Sequence, residues 1–253
     1  MRVERRGEVA VWTLARPRVK NALDAATLRA LTDALGEAAA DATLRAVVLT
    51  AEGDTFAAGG DLRELRGATS TADAEALLEA GRRVCEAIAK VAVPVIAALP
   101  GPAIGGGAEL AVACDMRIAD PRASVCFKHA HMGVTTAWGV LARLVAMVGP
   151  SAAARLLLTG QTIDAPEALR IGLVDAVSAP GECMAQALAW AADVTRGAPL
   201  AVARMKALLR SAVRGHAVRA YEREEFVATW TSADHADAVE AFFEGRPPRW
   251  SGR

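Results

Sequence analysis

The stretch "VPVIAALPGPAIGGGAELAVACDMRIAD", residues 93–120, decides the fold. It opens with a short apolar segment, 93–99, that reads as a buried strand. It then passes Pro100 and Pro102 into three consecutive glycines, Gly105 to Gly107, and enters a helical run at about Ala108. Each glycine loses more conformational freedom on folding than alanine would. Three of them at a strand exit imply that something comes very close to the backbone, or that the backbone itself acts. A strand that ends in glycine and turns into a helix brings unpaired N–H groups and the positive end of a helix dipole to one point, with no side chain in the way. That arrangement suits a developing negative oxygen. Spacing alone leaves a structural tight turn open beside an anion or oxyanion site. A phosphate cradle would call for a following GK[ST], and a dinucleotide site for GxGxxG; neither is met.

Working outward, a second glycine-containing loop, "TFAAGGDL" (55–62), also follows a strand-like run, "AVVLT". Strand-exit loops of consecutive β-α units lie side by side at one edge of a parallel sheet, where ligands bind. Together they can aim two backbone donors at one oxygen. Upstream, "EVAVWTL" (8–14) alternates like a strand, 23–41 has helical apolar spacing, and "LRAVVLTA" (44–51) returns to a strand. Thr71 and Asp73 can cap a helix that runs to about Val91. "MRIAD" and "SVCF" read as two short strands. From about residue 136 the signal is helical, including 151–158, 182–196, 198–214, 216–230 and 233–244. The expected class is α/β, with a core over 1–195 and a helical region over 196–253.

Composition narrows the partners. With 53% apolar residues and only 4% aromatic ones, the core must be built mainly from Ala, Val and Leu. Lys plus Arg and Asp plus Glu both number 29, with no block of like charge, so neither a nucleic acid nor a membrane surface is an expected partner. Residues 91–108 are uncharged, but three prolines and four glycines argue against a membrane span. The charged amino terminus carries no signal-peptide pattern. Cys85, Cys114, Cys126 and Cys183 lie far apart without a CxxC pair, which predicts reduced thiols in the cytoplasm and no metal site.

Taken together, "ARPRVKNAL" (15–23), "FAAGGDL" (56–62), residues 93–120, "LLLTGQTIDAPEALRIGLVDAV" (156–177) and "AFFEGRPPRW" (241–250) resemble the crotonase, or enoyl-CoA hydratase/isomerase, superfamily. The resemblance spans essentially the whole chain. It implies a crotonase-like spiral of β-β-α units with a carboxy-terminal helical trimerisation region, forming a homotrimer or a dimer of trimers. It also implies an acyl-CoA thioester substrate, so that CoA is part of the substrate and no cofactor is needed.

Carried over by position, the resemblance assigns the thioester oxygen to the amides of Ala58 and Gly106, and proton transfer to Glu109. It has Ala58, Gly59, Gly60, Asp61 and Leu62 wrap the CoA, with Arg16 and Lys20 at its phosphates. Two-glutamate hydratases carry a second glutamate four residues before the glycine of an "LGxxPGxGG"-like motif. Here the matching stretch is "FKHAHMGVTTAWGV" (127–140), which puts His129 in that place. His129 could supply or hold a proton. The leading expectation is water addition to a 2-enoyl-CoA. The alternatives are an alkylmalonyl-CoA-type decarboxylase, an isomerase using Glu109 alone, and, of another class, a non-catalytic acyl-CoA or RNA binding module. Acyl specificity is expected to lie in 63–85 and 131–140. At the tail, "FFEGR" lacks the family's lysine after "FxE", which leaves Arg246 or Lys206 to reach a CoA phosphate.

Overall fold

Strands made almost wholly of Ala, Val, Ile and Leu need cover on both faces. The computed structural model of this chain, which describes residues 1–65, 70–213, 228 and 232–252, provides it. Strands β1 (Arg2–Arg6), β2 (Val9–Leu14), β3 (Ala46–Ala51), β4 (Val95–Leu99), β6 (Met116–Ala119) and β9 (Ala176–Val177) form one sheet in the order β1-β2-β3-β4-β6-β9. All pairs are parallel except β1 with β2.

Because side chains alternate across a strand, Val47 and Leu49 face one way and Ala46 and Val48 the other. The first face packs against α1 (Ala25–Ala40), α3 (Thr71–Lys90) and α4 (Gly106–Ala113) through Leu28, Leu31, Val84, Ile88 and Leu110. The second is covered by α7 (Cys183–Thr195) through Cys183, Ala187 and Ala191. A smaller sheet joins β5 (Ala103–Ile104), β7 (Ser124–Cys126) and β8 (Thr162–Asp164), and β5 leads straight into α4.

Helix α4 is buried along all eight residues. Its last carbonyls would be orphaned at the negative end of the helix, and three guanidinium groups meet them. Arg143 donates to Val112 O at 2.7 Å and Cys114 O at 2.6 Å, Arg117 to Cys114 O at 2.7 Å, and Arg210 to Ala113 O at 2.8 Å. Arg210 and Lys206 belong to α8 (Pro199–Val213), and both also pair with Asp115, each at 2.7 Å.

Several expectations need correcting. The helix after the glycines starts at Gly106, not near Ala108, because Gly105 has the backbone that turns the chain. Ser70, not Thr71, caps α3, with Asp73 completing a reciprocal capping box. Residues 128–132 form a 3-10 turn that no sequence pattern announced, and His131 lies exposed there beside Gly160. β1 is an unforeseen edge strand because "RVERR" has no apolar alternation; its charge shields the sheet edge.

Helix α5 (Leu141–Thr159) is longer than expected and is broken at Gly149, before Pro150. It is the described helix long and apolar enough to cross a membrane, and the break divides it. The expected helix over 216–230, apart from 228, and residues 66–69 of the expected specificity region lie outside the described residues.

Candidate active site

The three glycines have three separate reasons. Gly105 adopts φ 53° and ψ −120°, a region closed to most side chains, and its amide donates to Cys126 O at 2.8 Å. Gly106 lies under an indole: a Cβ there would sit 2.5 Å from Trp138 Cη2. Gly107 presses on the neighbouring loop, where a Cβ would collide with the Ala57 carbonyl oxygen. Close approach and a special backbone both apply. Among the described residues no hydrogen bond is recorded from the Gly106 amide, which is the first of α4.

The 55–62 loop lies alongside, as expected. Ala57 donates to Pro102 O and receives Ile104 N–H at 2.9 Å, which locks the two strand exits together. The Ala58 assignment needs correction. Its amide donates to Lys20 O at 3.0 Å, so it is already satisfied by backbone and is not aimed at a ligand. The Leu23 amide reaches Gly59 O at 2.7 Å and the Asp61 amide reaches Leu23 O at 3.3 Å, while the Gly59 and Gly60 amides have no recorded acceptor among the described residues. Gly59, at φ 95°, is packed so closely that a Cβ would be 3.0 Å from Ile104 O and 3.5 Å from Gly106 N. The Gly59–Gly60 segment, one step along from Ala58, therefore faces the free Gly106 amide.

Glu109 is 2% exposed and lies three residues after Gly106, on the same helix face. Its Oε1 accepts the amides of Trp138 at 3.0 Å and Ala137 at 3.2 Å, and its Oε2 lies 3.0 Å from His129 Nε2. The His129 side chain is 13% exposed, stacks on Phe127 at 6.4 Å between ring centroids, and leaves Nδ1 without a recorded partner. The structure thus brings Glu109, His129 and Gly106 together. Burial, and next the Glu109 charge, push the nearby Cys85 thiol well above its ordinary range, so it is no nucleophile.

The basic residues divide differently from expectation. Arg16 pairs with Asp61 Oδ2 at 3.0 Å and Asp24 Oδ2 at 3.1 Å, and donates to Ala22 O at 2.6 Å. Its charge is thereby partnered within the protein by two carboxylates, one of them Asp61. Lys20 keeps an exposed side chain, in a left-handed pair with Asn21, and contributes its carbonyl. Leu62 is exposed at the start of a short helix, α2 (Leu62–Leu65).

Lys206 is 6% exposed and donates to Asp115, Ile88 O and Val93 O, so in this chain it is a structural cation and not a phosphate contact. Arg246 is held by Asp237 at 2.9 Å, with a second ion pair to Glu244. Among the described residues no group of three or more His, Cys, Asp or Glu could hold a metal ion.

Sequence reasoning did not single out Asn21, Gly81 or the Ala137 and Trp138 amides. Asn21 is 1% exposed and its side chain bonds Arg16 N, Glu52 O and Thr55 O, tying three loops together. Backbone donors carry no side-chain signal, and Gly81 reads as one more helix residue. Two open surface clefts, one of about 610 Å³ bounded by Arg155, Glu167 and Arg170, contain none of the expected site residues.

Comparison with known proteins gives one consistent result. The enoyl-CoA hydratase/isomerase family profile matches residues 4–253. The short-chain-enoyl-CoA hydratase of Clostridium acetobutylicum is 36% identical over 247 residues, 96% of this chain and 94% of that protein. The crotonyl-CoA hydratase of Syntrophomonas wolfei is 34% identical over 247 residues, 96% of this chain and 95% of that protein. Among solved structures, an enoyl-CoA hydratase from Bacillus anthracis superimposes with a TM-score of 0.95 at 30% identity, over 100% of this chain and 99% of that one.

Proposed function

The chain belongs to the enoyl-CoA hydratase/isomerase family, and from that premise we propose that it is a lyase adding water across the double bond of a 2-enoyl-CoA. The observation that carries this reading is the buried Glu109 carboxylate, fixed by two amides on one oxygen and facing His129 with the other. The Gly106 amide, together with the Gly59–Gly60 segment, receives the thioester oxygen as negative charge builds on it. Water gives a proton to Glu109 as its oxygen bonds C3. The double-bond electrons move towards the thioester oxygen, and a proton then returns to C2. His129, at 3.0 Å from Glu109, holds or relays that proton in the place of a second carboxylate.

The test is mass spectrometry of crotonyl-, malonyl- and alkylmalonyl-CoA incubated with the protein in deuterated water. Gain of one water on crotonyl-CoA, lost by about 10²–10⁴-fold in Glu109→Gln, is the expected result. Loss of CO2 from a malonyl ester without hydration would replace hydration by decarboxylation. Binding of the CoA esters without turnover of any of them, and unaltered in Glu109→Gln, would instead point to a binding module.

We also propose a homotrimer or a dimer of trimers. Support comes from large apolar side chains left exposed on α5 and α8, namely Leu141, Leu158, Met205 and Leu209. Light scattering that gave a monomer would remove this proposal. A cytoplasmic location, proposed with it, is supported by four buried, unpaired cysteines and is checked by cell fractionation.

A further inference from the structure

We propose that Trp138 closes the acyl end of the site and confines it to short acyl chains. The indole lies where the side chains of two glycines would be. A Cβ on Gly81, inside α3, would sit 2.0 Å from Trp138 Cε2, and one on Gly106 would sit 2.5 Å from Cη2. Glycine is a costly choice in a helix interior, and at Gly81 the packing supplies its reason. Both helices are hollowed at the same point, and a single rigid ring, 5% exposed, fills the hollow.

The ring is also anchored to the chemistry. The Trp138 amide holds Glu109 Oε1 at 3.0 Å, so the residue that fixes the carboxylate carries the ring that packs on Gly106. Gly106 and Glu109 share one face of α4, and the indole covers that face about a turn before the carboxylate. An acyl thioester with its oxygen at the Gly106 amide and C2–C3 beside Glu109 would send its tail towards the space between α3 and α4. Trp138 occupies that space. Short acyl chains are favoured there, because a methylene that a hydrophobic pocket does not accommodate costs about 10-fold or more in discrimination.

This inference rests on the proposed site only for where the thioester sits. Its test therefore uses saturated butyryl-, hexanoyl-, octanoyl- and decanoyl-CoA, which cannot be hydrated, with binding measured by calorimetry. Failure of crotonyl-CoA hydration would count against the reaction and leave this measurement standing. The wild type is expected to bind octanoyl-CoA at least 10-fold more weakly than butyryl-CoA. Trp138→Leu is expected to shift that ratio by about 10-fold or more towards the longer chain, with circular dichroism unchanged. Trp138→Phe, which keeps an aromatic ring, should give a smaller shift in the same direction and serves if the leucine variant does not fold. A wild type indifferent to chain length, or variants that weaken every ester equally, would overturn the proposal.

Discussion

Replacing Lys206 by methionine separates two readings of the same residue. The sequence suggests a cation reaching a CoA phosphate, whereas the structure buries the ammonium among Asp115 Oδ2 at 2.7 Å, Val93 O at 2.8 Å and Ile88 O at 2.9 Å. Methionine preserves most of the volume and removes all three donations. Breaking a buried ion pair by removing one partner costs about 3–5 kcal/mol. Asp115 keeps Arg210 at 2.7 Å and the Val95 amide at 2.8 Å, so the lower end, about 3 kcal/mol, applies. At about 2–4 °C per kcal/mol for a chain of this size, Lys206→Met should lower Tm by roughly 6–12 °C at fixed protein concentration. The KM for an acyl-CoA should be little changed relative to the matching acyl-pantetheine. Calorimetry and paired kinetics on the two thioesters check this. A stability change below about 1 kcal/mol, or a KM raised for the CoA ester alone, would refute the structural reading.

Three further outcomes follow from the same packing. Burial pushes the Asp115 carboxyl up, but Lys206 and Arg210 more than offset this and hold it below its ordinary 3.8. A lowered folded-state value means stability that is whole above the unfolded value and lost as pH falls through the folded one. In urea titrations from pH 6 to pH 3, Asp115→Asn should thus lose less stability with acid than the wild type, and parallel curves would contradict it. Gly107→Ala drives a methyl group into the Ala57 carbonyl, so it should cost about 1–3 kcal/mol and reduce kcat by shifting the helix that carries Gly106 and Glu109. Arg16→Gln and Asp61→Asn should couple in a double-mutant cycle of chemical denaturation by about 0.5–1 kcal/mol, whereas strict additivity would mean that the pair does not form in solution.

Much of the fold was legible because the apolar pattern carries it. The alternation in 8–14, the helical spacing of 23–41 and the unbroken run into β4 each matched an observed element within a few residues. Elements without such a pattern, charged β1 and the 3-10 turn at 128–132, leave no mark in the sequence. Glu109 and His129 were legible as side chains in a motif, and the structure adds that they touch.

By itself the sequence determined where glycine must stand, that 93–99 forms a buried strand, and that a carboxylate follows the glycines by two residues. These are properties of neighbouring residues, and local sterics and periodicity express them directly. Only the tertiary structure decided which amides remain free. Whether Ala58 or the Gly59–Gly60 segment can receive a ligand oxygen depends on the Lys20 carbonyl, 38 residues away in the chain. It also decided that Arg16 and Lys206 are answered by Asp61 and Asp115, and that Trp138 fills a hollow between two helices. A backbone amide looks the same at every position in a sequence, and a charge shows no partner there. Both acquire a role when distant segments are brought within hydrogen-bonding distance.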